Sequence, residues 1–294
     1  MAVLQVVTDD TEAVEASLAG WSTDCGEIEP YTQYLYALAS GDVTPFLGWG
    51  GITPAAWTCA TLDAVGWPCF RPEAMPIIVQ FGDEVFEGGG GFCDPGHDAD
   101  LAISALNAID AHYIGVNSGA SRPDMEVIAM GTGSVDSRDS PLVFDISPTG
   151  GGLGEQVVEA IEILASQVPV DVTALLRDDP SDAIDPVATF VTLFEASTEG
   201  GHRDPLDPSV VCVPGLLVED RYEPFDGRPD TFPGVLPGTA VCFEIRVGPN
   251  RTVPATREPQ SFMARVDLVG GGTTVLDSIR IFFLVPPLIA IDCE

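Results

Sequence analysis

The chain has 294 residues, enough for two ordinary domains or one large one. It carries 45 acidic residues against 12 basic ones, all of them arginine, for a formal charge of −33. That balance excludes nucleic acid and anionic lipid as partners, because both are bound by clustered cations, and a mean hydropathy of +0.22 excludes a disordered acidic tail.

Val3 to Val7 (VLQVV) reads as a strand, and Thr8, Asp9 and Asp10 are placed to cap a short helix running to Trp21. Residues 23–30 (TDCGEIEP) form a turn-rich acidic loop. Tyr31 to Ala39 predicts a helix, with Pro30 suited to its first turn. Residues 41–75 mix Gly, Pro, Trp and Cys without periodicity and predict a long loop. Pro76 to Phe81 (PIIVQF) is a short apolar run ended by Gly82, Asp83 and Glu84, and predicts a strand buried on both faces. In an open parallel sheet, ligands sit outside the carboxyl ends of such strands. Asp83 and Glu84 are there as metal ligands, as catalytic groups or as ordinary turn formers.

After a Gly-rich segment over 87–96, Asp98 or Asp100 caps a helix to about Ile109, whose Leu101, Ala105 and Ala108 share a face. Tyr113 to Val116 is a buried strand, Pro123 to Met130 a short helix, Leu142 to Ile146 a strand and Leu153 to Ala165 an amphipathic helix. Strands alternating with helices predict an α/β domain with a doubly wound, mostly parallel sheet. From about Gln167 the pattern changes. PVDVTALLRD, DPVATFVTLFEA, PGTAVCFEIRVG, PQSFMARVDLVG and TTVLDSIRIFFLV all read as strands separated by Gly and Pro turns, with no helix. They predict an all-β domain, an immunoglobulin-like β-sandwich, over residues 167–294, after an α/β domain over 1–166.

Seven cysteines without a zinc spacing point to disulfides in an oxidising compartment, Cys59 with Cys69 and Cys212 with Cys242, or else to buried free thiols. The N-terminus has no signal-peptide pattern. No apolar run approaches the ~20 residues of a membrane helix, so membrane insertion is not expected.

Taken together, VLQVVTDDTEAVEASLAGWSTDCGEIEP, PIIVQFGDEVF and DADLAISALNAIDAHYIGVNSG resemble von Willebrand A-type domains of the integrin beta-like kind, over roughly Leu4 to Ser166. The second domain resembles the sandwich that follows A-type domains in some large bacterial secreted proteins. The resemblance implies a divalent-cation site, magnesium or calcium, built from oxygen ligands on three loops. Carried over, Asp83 matches the ligand after the fourth strand. Glu27 and Glu29 lie near the family's Pro-Glu signature, but Tyr31 stands where the ligating Glu belongs. The Asp-x-Ser-x-Ser motif is absent, and its lookalike at Asp136 to Ser140 is read as a turn. The family's first strands have no counterpart either. Losing a central strand would orphan more backbone hydrogen bonds than a domain's ~5–15 kcal/mol tolerates. Met1 is therefore expected to be internal to a longer chain that carries the signal peptide, or else the remaining strands close into a reduced sheet.

Other chemistry is poorly supported. No Gly-x-Ser-x-Gly elbow occurs, His97, His112 and His202 lack a nucleophile, and the Gly150 to Gly152 turn lacks the Lys of a nucleotide loop. The acids of RDDPSDAIDP read as a solvated loop or a weak calcium site, and Asn250-Arg251-Thr252 matches a glycosylation sequon by pattern. The expectation is a non-enzymatic, exported or cell-surface binding and adhesion module for a protein or glycan ligand. Any metal would be held by Asp83, Glu84, Glu27 and Glu29. The opposing expectation is a metal-free structural spacer, and a hydrolase using Asp83 and Glu84 ranks last.

Overall fold

The computed structural model describes residues 31–42, 64–71, 74–86, 98–203, 207–222 and 225–288. The expected strand at Val3 to Val7, the helix to Trp21, the acidic loop over 23–30 with Glu27 and Glu29, and the Gly-rich segment lie outside them. The chain divides into two compact units, Met1–Val168 and Pro169–Glu294.

The first unit contains α1 (Tyr31–Ser40), β1 (Ile77–Gly82), α2 (Ala99–Asn107), β2 (His112–Asn117), α3 (Arg122–Gly131), β3 (Val143–Asp145) and α4 (Leu153–Gln167). The strands are parallel, in the order β1-β2-β3. Period-two alternation sends Ile78, Tyr113 and Val143 to one face, against Leu35 of α1, Leu106 of α2 and Ile128 of α3. Val79, Ile114 and Val116 go to the other face, against Ala160 and Leu164 of α4. Helices on both faces explain why β2 is apolar almost throughout. Among the described residues the strand order runs one way, without the reversal that opens the crevice of a doubly wound sheet.

Two expectations fail here. β1 is not buried on both faces: Phe81 is 50% exposed and Ile77 also faces solvent, because β1 is an edge of the described sheet. In α2 the buried face carries Ala102 and Leu106, with Ala99 and Ile103 packed beside them; of the expected face Ala105 also packs against this core, while Leu101 is 49% exposed and Ala108 faces solvent. Nearly every residue of ADLAISALN is small or apolar, so two stripes compete and the periodicity alone does not choose between them. Asp98 is the cap, its carboxylate accepting the Leu101 N–H at 3.0 Å.

The second unit contains β4 (Val170–Asp178), α5 (Pro186–Phe190), β5 (Val191–Ser197), β6 (Thr231–Val235), β7 (Cys242–Val247), β8 (Gln260–Gly270) and β9 (Thr274–Val285). All pairings are antiparallel, in a four-stranded sheet of order β6-β4-β8-β9 and a two-stranded sheet β5-β7. Val172, Ala196, Phe232 and Phe243 draw side chains from both sheets into one core. A Cys212–Cys242 disulfide ties the loop before β6 to the start of β7, and Cys69 of the first unit is also disulfide-bonded.

DPVATFVTLFEA is not all strand: Asp185 caps the Ala188 N–H and Pro186 fills the first helical position, so five residues become α5 before β5 begins. β6 escaped the sequence reading because Thr-Phe-Pro-Gly-Val carries a Pro and a Gly. A sheet edge tolerates both, and β6 is an edge. The acids of RDDPSDAIDP turn the chain, and no three of them gather where a metal ion could sit. Asp179 accepts from Ser181, and Asp182 from Ile184 and Met263.

Candidate functional site

The register pairs Gly82 with Asn117 and Asn117 with Asp145, so the three parallel strands end side by side. The loops leaving them form one rim. At its centre is Asn117, 6% exposed. Its Oδ1 accepts from the Gly119 N–H at 3.2 Å, the Ser121 N–H at 3.1 Å and the Ser121 hydroxyl at 2.8 Å. Its Nδ2 donates to Asp145 Oδ1 at 2.8 Å and to the Gly119 carbonyl at 3.2 Å. Only a side chain that both donates and accepts fills this place. Arg122 Nη1 donates to the other Asp145 oxygen at 2.7 Å, and its Nε to Glu126 at 2.7 Å. One amide and one guanidinium therefore hold the Asp145 carboxylate.

The loop after β2 also presses on the loop after β1. The Ser118 N–H donates to the Gly82 carbonyl at 2.9 Å, and Ala120 donates to Asp83. Gly119 comes so close that a Cβ there would collide with the Asp83 carbonyl oxygen, which restricts the position to glycine.

Tyr31, at the start of α1, brings its phenolic oxygen to 3.0 Å from where a Cβ on Gly82 would stand. Its ring tilts against Phe86 with centroids 4.8 Å apart, and Asp124 fixes the Phe86 N–H at 2.9 Å. Where the family resemblance implies a ligating carboxylate, this chain builds an aromatic wall. Behind it, the Tyr113 hydroxyl donates to Gln80 at 2.8 Å, and burial, with Tyr31 and Asp124 nearby, raises Tyr113 well above the usual tyrosine range. It stays a neutral donor.

Asp83 and Glu84 lie on this rim, both exposed, while Glu27 and Glu29 fall outside the described residues. Calcium takes six to eight oxygens, several from protein carboxylates and carbonyls, whereas magnesium keeps several waters and is held by one or two carboxylates. Among the described residues no three His, Cys, Asp or Glu side chains gather where a metal ion could sit. Asp145 is committed to Asn117 and Arg122, and that guanidinium opposes a second cation. The described rim therefore presents no calcium cage. Elsewhere, Asp136 to Ser140 is a turn. Asp136 accepts the Arg138 and Ser140 N–H groups, which lowers its carboxyl pKa. Gly152 precedes α4 at φ +89° without any side-chain cap.

The sequence reading did not single out Asn117, Ser121, Arg122 or Asp145. The available signal was Asn-Ser-Gly after an apolar run, where an Asn side chain commonly organises the following turn.

No family model matches the chain, and no curated protein matches it. A solved structure described as "von Willebrand factor type A from Catenulispora acidiphila" aligns with 72% of this chain at 13% identity and a TM-score of 0.27. The aligned part spans 42% of that protein's length, and a superposition this loose carries no argument about the fold.

Proposed function

We propose that the chain is an exported, non-enzymatic binding module that engages a protein or glycan partner through the rim at the carboxyl ends of β1, β2 and β3. The observation that carries this reading is the fixing of the three loops, by the Asn117 side chain to Asp145 and by the Ser118 and Ala120 N–H groups to Gly82 and Asp83, while the Asp83 and Glu84 side chains stay exposed beside them. A rim already fixed before contact loses little entropy on binding. Recognition is direct, through side chains and backbone of the rim, and not through a resident cation. The von Willebrand A-type resemblance in sequence supports the adhesion class, and the antiparallel second unit is in keeping with an immunoglobulin-like partner domain. Among the described residues no histidine stands at the rim to serve as a catalytic base. His112 begins β2 at the far end of the strand, and His202 belongs to the other unit. The Cys212–Cys242 bridge supports export to an oxidising compartment.

Arrays of extracellular proteins and glycans, probed with the full chain in EDTA, test the reading. Capture should persist without divalent cation and disappear with Asp83→Arg/Glu84→Arg. Capture that needs magnesium or calcium, or that ignores the rim variant, refutes it.

A further inference from the structure

The twelve-residue β9 ends the four-stranded sheet, and among the described residues no strand pairs with its outer edge. A long, open edge is a template for another strand. Proteins usually blunt such an edge with proline, bulges or charge; β9 has a bulge at Leu276 and a proline pair just past its end, but between them it pairs regularly with β8 and exposes Ile279, Phe282 (67%) and Leu284 (68%). On the inner side, a groove of about 570 Å³ opens between β9 and β7, floored by Phe194, Val266 and Leu268.

The edge strand itself is neutral, with Asp277 and Arg280 as its charged residues, but the two do not share a face. Arg177 of β4 stands opposite Arg265 of β8, which stands opposite Arg280 of β9, so three guanidiniums cross the sheet in one row on one face. Like charges directly opposed across strands are unfavourable. Asp267, 1% exposed, relieves the inner two: its Oδ2 lies 2.7 Å from Arg265 and 3.8 Å from Arg177. Its Oδ1 takes the Ser278 hydroxyl at 2.7 Å. No ion pair reaches Arg280 among the described residues. Among the described residues the row therefore ends, at the open edge, on a cation without an ion-pair partner, in a chain of net charge −33.

We propose that the β9 edge receives an extended segment of a partner protein as an added antiparallel strand. A carboxylate on that strand stands opposite Arg280 and completes the row, and its next residue on the same face is apolar, opposite Phe282. A second copy of this chain fits less well. A two-fold pairing of β9 with itself places Arg280 opposite itself, Ser278 or Leu276 in its central registers, and never opposite an acid.

The test titrates the full chain, by calorimetry, with a nine-residue peptide of threonine and valine bearing glutamate at its fifth position, and with the same peptide bearing lysine there. The glutamate peptide should bind at least tenfold tighter, and Arg280→Glu should reverse the preference. Alternate-amide N-methylation of the glutamate peptide should abolish binding, because strand addition needs those N–H groups. Arg280→Gln, which keeps the length and drops the charge, should bind both peptides alike. Circular dichroism of both variants checks that the sheet persists. Equal affinities for the two peptides in the parent chain, no binding at millimolar peptide, or undiminished binding of the N-methylated peptide overturns the proposal. So does displacement of the glutamate peptide by a sulfated glycan fragment, which would make the ligand a polyanion, or a free chain that sediments as a dimer dissociated by Arg280→Glu.

Discussion

Asn117→Leu separates a rim organised by one amide from a rim held by its backbone alone. Leucine has the same branching and is bulkier, so no cavity results and some overpacking adds to the loss, while five hydrogen bonds disappear. Gly119 is exposed and regains water. Ser121 is fully buried, so its N–H and hydroxyl both lose their acceptor. At ~1–3 kcal/mol per buried orphan, and less than additive within one cluster, the loss should be about 3 kcal/mol. All four tryptophans, Trp21, Trp49, Trp57 and Trp67, precede residue 169, so tryptophan fluorescence in urea reports the first unit alone. Asn117→Asp is the control: it keeps the acceptor for Ser121 but places a second carboxylate against Asp145. Its deficit should shrink as the pH falls and one acid of the pair is protonated. A loss below about 1 kcal/mol for Asn117→Leu would show that the network does not hold the rim.

Three further outcomes follow from the same physics. Burial lowers the His112 pKa, so neutral histidine is favoured in the folded state. The stability it secures is complete above the unfolded value near 6.5 and declines as the pH falls from there through the lowered folded value. Urea midpoints of the parent and His112→Asn should therefore converge below pH 6. Asp267→Ala removes the buried counter-charge that Arg177 and Arg265 share, and because both guanidiniums are about half exposed it should cost the second unit about 1–3 kcal/mol by denaturation followed in circular dichroism. Reducing Cys212–Cys242, which are 30 residues apart, should cost that unit about 3–4 kcal/mol if chain entropy governs the effect; an unchanged urea midpoint in reductant would deny the bridge a role.

Strong local signals carried over into the fold. The apolar runs at Pro76 and Tyr113 became parallel neighbours, and the alternation of FMARVDLV became β8, with Phe262, Ala264 and Leu268 inward. Where two local rules competed, the sequence misled. Asp185-Pro186 wrote a helix start into a β-prone stretch, and a Pro-Gly pair hid β6. The rim was half legible. The carboxyl end of β1 is where parallel-sheet geometry puts ligands, and Asp83 and Glu84 are there. Asn117 was invisible because its importance arises from register: only the pairing of β2 with β3 sets Asp145 beside it. Nor does composition reveal that Tyr31 packs against Gly82, which turns an expected ligand position into an aromatic wall.

Calorimetric titration of the full chain with magnesium and with calcium tests most directly whether this rim works without a resident cation. The account predicts no saturable heat at millimolar ion, and identical traces for the parent and Asp83→Ala. One-to-one binding at micromolar dissociation constant, lost in Asp83→Ala or Glu84→Ala, would contradict it.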